Sequence, residues 1–109
     1  MISIDDFKKV EIKIGRILSA EKVADTDKLL KLSVDFGEES PRQIISGIAQ
    51  YFEDPKILVG KFCPFVVNLE HRLIKSLKSE GMIMVVGNQN GFFSLLEANK
   101  DTPPGSSVL

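Results

Sequence analysis

The sequence predicts an all-β fold of short antiparallel strands with one short helix. Apolar and polar residues alternate at the period of a strand in residues 10–14 and again in residues 30–36. Apolar runs bounded by turn residues recur at 62–69 and 82–86. With 109 residues the chain has the size of one compact domain, and we expect a single domain over residues 1–109.

The first strand is expected to begin at Val10, with Val10, Ile12 and Ile14 on one face. Gly15 interrupts the alternation, and the apolar residues restart out of phase at Ile17, as an extra residue in a β-bulge would cause. A long first strand bent at a bulge can pair with strands on both sides of a small closed barrel.

The remaining strands follow from their apolar patterns and from the turn residues between them. We expect them at residues 30–36, 43–47, 62–69, 82–86 and 92–96, with a hairpin turn at 88–91. Asp54, Pro55 and Gly60 are a cap, a first-turn proline and a terminal glycine, which together predict one short helix within residues 51–60. Residues 3–7 are expected to form one helical turn capped by Ser3 or Asp5, and the tail from Thr102 is expected to be coil.

Three strands, a short helix and two further strands, in that order, predict an OB-fold, a five-stranded Greek-key barrel, here with extra C-terminal strands. Barrels of this class bind oligonucleotides or oligosaccharides on one face and through the loops that follow the first and fourth strands. In this chain those loops are residues 21–27 and 69–81. The second loop is therefore the first place to look for a ligand.

The composition argues against catalysis. One Cys63 and one His71 cannot form a zinc site or a Cys/His pair within one chain, and the glycines are scattered without a phosphate-binding loop. We therefore expect no enzyme activity, no metal and no cofactor. No apolar run approaches the roughly 18 residues that span a bilayer, and the N-terminus is too acidic for a signal peptide, so we expect a cytoplasmic protein without a membrane partner.

Charge is unevenly distributed along the chain. The net charge is −1, but residues 35–54 hold five acids against Arg42 alone, a net of −4, which leaves +3 for the rest. An uneven distribution of this kind can orient an anionic partner even when the total charge is near zero.

Loop 69–81 carries Arg72, Lys75 and Lys78 with no acid between residues 71 and 79. From the residues alone the loop is either a phosphate-binding loop or a stretch without a ligand, which would be a solvated loop or one turn of amphipathic helix. Asn68, Ser79 and Glu80 stand at the ends of this loop, where they are expected either to brace it or to contact sugar and phosphate. Because the outward strand positions lack aromatic residues, the pattern favours recognition of a folded RNA by shape over base stacking.

Five motifs, at residues 6–17, 27–35, 45–49, 59–61 and 68–82, together resemble the tRNA-binding domain found at the C-terminus of many bacterial methionyl-tRNA synthetases. Similar domains occur as free-standing tRNA-binding proteins. The resemblance implies sequence-tolerant tRNA binding without catalysis, homodimerisation through the C-terminal part, and assistance to a methionyl-tRNA synthetase in cis or in trans. A dimeric export chaperone that binds peptides belongs to the same superfamily and is the alternative function. A third alternative is a domain that mainly dimerises a synthetase.

The resemblance also implies the tRNA-binding residues, which are Lys31, Ser46, Asn68, Arg72, Lys78, Ser79 and Met82. The chain departs from the family pattern at three places: it has His71 where the family commonly has proline, Leu73 where it often has lysine and Ser76 where it often has glycine. Lys75 and Lys78 are expected to replace the charge of the missing lysine.

Overall fold

The computed structural model describes residues 1–109. Its longest strand connects the two halves of the main sheet. This strand, β1, pairs with β2 through residues 16–22 and with β4 through residues 12–16, and the antiparallel sheet has the order β3-β2-β1-β4-β7. The elements in chain order are α1 (Ile4–Phe7), β1 (Ile12–Lys22), β2 (Leu30–Asp35), β3 (Arg42–Ser46), two 3-10 segments (Ala49–Tyr51 and Pro55–Leu58), β4 (Phe62–Val66), β5 (Arg72–Ile74), β6 (Leu77–Ser79), β7 (Met82–Ile83), β8 (Val85–Gly87) and β9 (Phe93–Leu95).

The sheet curls until its two ends nearly meet, which confirms the predicted five-stranded OB barrel. The segment after β6 closes it: the backbone N–H of Glu80 donates to the carbonyl oxygen of Gln43 in β3 at 2.8 Å. One apolar core fills the barrel, and its fully buried side chains are Ile17, Leu30, Leu32, Val34, Ile44, Leu58, Cys63 and Phe65. Burial raises the pKa of the Cys63 thiol to about 11, in agreement with a core position.

The predicted bulge in β1 exists, but it lies after Ile17 and not at Gly15. The pairing register with β2 shifts between Ile17 and Ser19, so Leu18 is the extra residue. Gly15 serves close packing, because a Cβ there would collide with Val34 and Phe36. Val10 lies outside the strand and is exposed, contrary to the predicted inward face.

The single helix predicted within residues 51–60 is replaced by two 3-10 segments. Asp54 caps the second of them through its carboxylate, which accepts from the N–H of Lys56 at 3.0 Å, and Pro55 follows as predicted. The second segment ends at Leu58, and Gly60 has a φ of +87°. The cap, proline and glycine were placed correctly, but only one short turn lies between them. The turn predicted at 3–7 is α1, capped by Ser3.

The predicted fifth strand is interrupted at Met84 and serves two sheets. β7 pairs with β4, and β8 pairs with β9 in a separate hairpin. The turn of that hairpin is the predicted one: Asn88 Oδ1 accepts from the N–H groups of Asn90 and Phe92. The hairpin packs on the first 3-10 segment, where the rings of Tyr51 and Phe93 stack with centroids 4.2 Å apart and planes 7° apart.

The C-terminal tail, expected to be coil, runs along the free edge of β1. We call residues 103–108 the C-terminal strap. The N–H of Ile14 donates to Ser106 at 2.8 Å, and the N–H groups of Gly105 and Val108 donate to Ile14 and Ile12 at 2.7 and 2.9 Å. The strap thereby covers the part of the β1 edge that β2 leaves unpaired.

None of the helices is long and apolar enough to cross a bilayer. The structure also contains no group of three or more His, Cys, Asp or Glu side chains arranged to hold a metal ion.

Candidate nucleic-acid interface

The basic loop is a two-stranded hairpin, so the helical interpretation of residues 72–79 is wrong. β5 and β6 pair antiparallel, and the two residues at the tip, Lys75 and Ser76, have φ values of +53° and +66°. Positive φ at both positions is the geometry of the tight turn that matches the twist of a hairpin, and glycine adopts it most readily. Ser76 therefore occupies the position where this turn favours the glycine of the family pattern.

The hairpin places its cations on both of its faces. Residues directly opposite each other in an antiparallel pair point to the same side, and Arg72 opposes Ser79 whereas Leu73 opposes Lys78. The inner face packs towards the barrel and holds Arg72, Ile74, Leu77 and Ser79; the outer face holds Leu73 and Lys78. Arg72 and Lys78 are both exposed, as is Lys75 at the tip. The hairpin therefore presents positive charge on each side and at its end.

These three cations are free of ion pairs within 4.0 Å. Lys31, by contrast, lies on the outward face of β2 and pairs with Glu21 at 2.8 Å, with its side chain 38% exposed. A polar groove of about 250 Å³ next to Lys31 is lined by Ser19, Ser33, Gln43 and Glu80, among others. Lys31 therefore adds a partly neutralised charge beside the base of the hairpin.

The polar residues at the base of the hairpin brace it. Asn68 Oδ1 accepts from the N–H of Glu11 at 2.9 Å, and its Nδ2 donates to the carbonyl of Lys9 at 2.7 Å. Ser79 is buried, and its Oγ accepts from the N–H of Ile45 at 3.0 Å and donates to Gly81. The Glu80 carboxylate accepts from the N–H of Gln43 at 3.0 Å. The contacts of Asn68, Ser79 and Glu80 thus favour the bracing interpretation for all three.

Met82 begins β7, which follows the hairpin, and Ser46 ends β3. Met82 is 49% exposed and lines a small cavity of about 60 Å³ under the hairpin together with Arg72 and Ile74. Ser46 is half-buried at the end of β3, opposite Leu30 of β2. Met82 thus lies next to a free cation, whereas Ser46 lies on the sheet.

The tip of the hairpin meets the other loop that was expected to border the ligand. Ile74 and Lys75 share a cavity of about 390 Å³ with residues 25–29 of the β1–β2 loop. Asp25 and Asp27 belong to that loop, so carboxylates stand near the tip while the two sides of the hairpin carry free cations.

Arg42 is the residue that reasoning from the sequence missed. Its Nε and Nη2 donate to the two carboxylate oxygens of Glu38 at 2.9 and 2.8 Å, and its Nη1 donates to the carbonyls of Val67 and Glu80. Its neighbour Gln43 donates from Nε2 to the carbonyl of Lys78 at 2.9 Å. The available signal was that Arg42 is a lone cation among five acids, since such a residue is expected to pair locally.

Comparisons with known proteins agree with the fold and identify the family. The model of a family described as "Putative tRNA binding domain" matches residues 12–107. The methionine–tRNA ligases of Enterococcus faecalis and Bacteroides fragilis are 40% and 42% identical over 107 residues, which is 98% of this chain. The chain spans only 16% of the length of these two relatives.

Solved structures share the whole fold. A MetRS related protein from Pyrococcus horikoshii superposes with a TM-score of 0.93 at 36% identity, covering 100% of this chain and 98% of its own. The chaperone CsaA from Bacillus anthracis superposes with a TM-score of 0.86 at 27% identity, covering 100% and 99%. Because a family model covers nearly all of the chain and close relatives match it end to end, the chain belongs to the tRNA-binding domain family found in methionine–tRNA ligases.

Proposed function

We propose that this chain is a non-catalytic module that binds tRNA largely without regard to sequence and assists a methionyl-tRNA synthetase, in cis or in trans, as a cytoplasmic homodimer. Family membership supports the choice of tRNA, and the methionine–tRNA ligase relatives support the choice of synthetase.

One observation carries the proposal: three exposed cations without ion pairs stand on a braced hairpin at the ligand-binding edge of an OB barrel. Free lysine and arginine side chains bind phosphate by releasing condensed counterions, whereas paired ones must first lose their partners. Arg72, Lys75 and Lys78 are therefore the proposed phosphate contacts. Lys31, Ser46 and Met82 extend the proposed surface, and Asn68 and Ser79 hold its shape.

The arrangement of charge favours a concave RNA surface over a flat one. Arg72 and Lys78 lie on opposite faces of the hairpin, so a flat strand would reach only one of them. A concave RNA surface that curves around the exposed edge of the hairpin reaches both, because Arg72 is exposed although it lies on the inner face. Folded RNA offers such clefts, which supports recognition by shape and backbone.

The test is a fluorescence anisotropy titration of the purified chain with several unrelated tRNAs over a range of salt concentrations. We expect similar affinities and a slope of log K against log salt of about −3, from about 0.9 per neutralised phosphate. The double variant Arg72→Ala/Lys78→Ala should weaken all tRNAs alike and make the slope shallower by about 2.

The charge-matched control for this experiment is Lys56→Ala/Lys100→Ala, which removes two exposed cations outside the hairpin. It should bind tRNA as the wild type does. No binding at low salt would reject the proposal, and a loss confined to one tRNA would indicate that bases are read directly.

A peptide-binding chaperone is the second candidate, because CsaA chaperones share the entire fold. An apolar groove of about 300 Å³ between α1 and the end of the chain suits an apolar peptide; it is lined mainly by Ile4, Phe7, Val10, Val108 and Leu109. Binding of a labelled apolar peptide that Phe7→Asp abolishes, with no tRNA binding by the wild type, would favour this function over the first.

A further inference from the structure

We infer that Arg42 is a positioning residue for tRNA binding, because it links the two chain segments, at Val67 and Glu80, between which the basic hairpin lies. The inference rests on the proposed function and adds to it a residue that no motif pointed to. Its support is the set of contacts made by one guanidinium group.

A single nitrogen of Arg42 holds both ends of the loop. Nη1 donates to the carbonyl of Val67 at 2.7 Å and to the carbonyl of Glu80 at 3.1 Å. Val67 is the last residue before Asn68, and Glu80 directly follows the end of β6. These two carbonyls flank residues 68–79, the segment that contains the hairpin, so their common donor holds the end of β4 next to the end of β6.

The rest of the guanidinium is held in place by other groups. Nε and Nη2 form a two-pronged pair with the Glu38 carboxylate at 2.9 and 2.8 Å, and the ring of Phe36 lies 5.6 Å from the guanidinium carbon. Arginine can make all of these contacts at once because its donors are arranged in a rigid plane. Lysine keeps the charge but has one nitrogen on a flexible stem, so it cannot reach Glu38 and both carbonyls together.

Arg42 does not itself offer its charge to phosphate. All three of its side-chain nitrogens are engaged, and its side chain is only 22% exposed. Its effect on tRNA must therefore pass through the hairpin that carries Arg72, Lys75 and Lys78. A positioning role can therefore be distinguished from direct phosphate binding. If Arg42 only positions the hairpin, its replacement weakens binding but leaves the number of phosphate contacts, and with it the salt slope, unchanged.

The experiment compares Arg42→Lys with the matched control Arg16→Lys. Arg16 is exposed on β1, forms no ion pair, and has its guanidinium carbon 6.0 Å from the centroid of the Phe62 ring. We expect Arg42→Lys to raise the Kd for tRNA about tenfold with an unchanged salt slope, since fewer molecules hold the hairpin in the competent geometry. Arg16→Lys should leave the Kd unchanged.

A second measurement reports on the hairpin directly. The Glu80 N–H donates to Gln43 across the barrel closure, and its hydrogen exchange should accelerate in Arg42→Lys and stay slow in Arg16→Lys. Where Arg42→Lys fails to fold, Glu38→Gln serves instead. It removes the carboxylate that orients the guanidinium and leaves both carbonyl bonds, so it should raise the Kd clearly above the wild-type value, though less than tenfold, at an unchanged slope.

Two results would overturn this inference without rejecting the proposed function. One is wild-type affinity in a folded Arg42→Lys, and the other is a weaker affinity with a shallower salt slope, which would make Arg42 a phosphate contact. Absence of tRNA binding by the wild type would instead reject the proposed function, and this inference with it.

Discussion

Leu73 is an apolar side chain, 77% exposed, on the outer face of the hairpin and directly opposite Lys78. An exposed leucine beside a free cation has no packing role there, and the resemblance described above implies that lysine often occupies this position. The position is therefore available for a further phosphate contact.

We expect Leu73→Lys to tighten tRNA binding at low salt and to make the slope of log K against log salt steeper by about 0.9, for one more phosphate contact. The measurement is the anisotropy titration described above. Ile57→Lys, at a 63% exposed position outside the hairpin, is the control for added charge. An equal gain in the two variants would show that net charge, and not the hairpin, controls affinity.

Glu38 makes stability depend on pH in the acid range. The hydrogen bonds from Arg42 hold the pKa of the Glu38 carboxyl below its ordinary value of 4.5. Because the folded pKa lies below the unfolded one, this contribution to stability is fully present above pH 4.5 and is lost as the pH falls through the lower folded value.

We therefore expect the free energy of unfolding to fall more steeply below pH 4.5 in the wild type than in Glu38→Gln. Urea denaturation from about pH 3 to 6 measures it. Parallel pH profiles for the two proteins would contradict the expected role of the pair.

At the scale of elements, the C-terminal strap depends on a glycine. Gly105 has a φ of +91°, and a Cβ there would collide with the carbonyl oxygen of Phe36. The N–H of Gly105 also bonds to Ile14 at 2.7 Å. A side chain at this position would force the strap away from β1.

Gly105→Ala is expected to lower the free energy of unfolding by about 3 kcal/mol, from backbone strain and the displaced strap. Gly47→Ala is the control, because Gly47 has no atom within 4 Å of its would-be Cβ and no positive φ. Urea denaturation of both variants checks the difference. A similar small effect in both would mean that the strap contributes little.

The pairing of the strap with β1 could not be predicted from the sequence. Alternation at residues 30–36 predicted β2 because each residue there faces either core or solvent. The strap has no such alternation, and its pairing with β1 is a contact between distant parts of the chain. The helix predicted within 51–60 is wrong although its end signals were correct, because only the 3-10 segment Pro55–Leu58 lies between Asp54 and Gly60.

For the candidate site, the position was predictable and the geometry was not. The order of strands placed the loop between β4 and β7, and the charges of Arg72, Lys75 and Lys78 are visible in the sequence. That the loop is a hairpin with cations on opposite faces depends on backbone angles at Lys75 and Ser76. That Arg42 lies beneath it depends on barrel closure, which no local pattern encodes.

At the scale of the whole molecule, the proposed homodimer requires an apolar surface beyond the core. Phe92 is 54% exposed on the β8–β9 hairpin, and Leu96 after it is 40% exposed. Light scattering at micromolar concentration should give twice the chain mass of 12.1 kDa. Phe92→Asp should give the single-chain mass, since a charge buried in an apolar interface without a partner is costly, and Ile57→Asp should remain dimeric. A single-chain mass for the wild type would contradict the dimer.

The stack of Tyr51 on Phe93 determines what optical spectroscopy of this protein can report. The chain has one tyrosine and no tryptophan, so its tyrosine fluorescence comes from a single ring. That ring lies against β9, and the Glu80–Gln43 closure involves other parts of the chain. Tyrosine emission is therefore a local probe of whether the β8–β9 hairpin is docked. A fluorescence transition that precedes the far-ultraviolet circular dichroism transition would reveal that this hairpin detaches before the barrel opens.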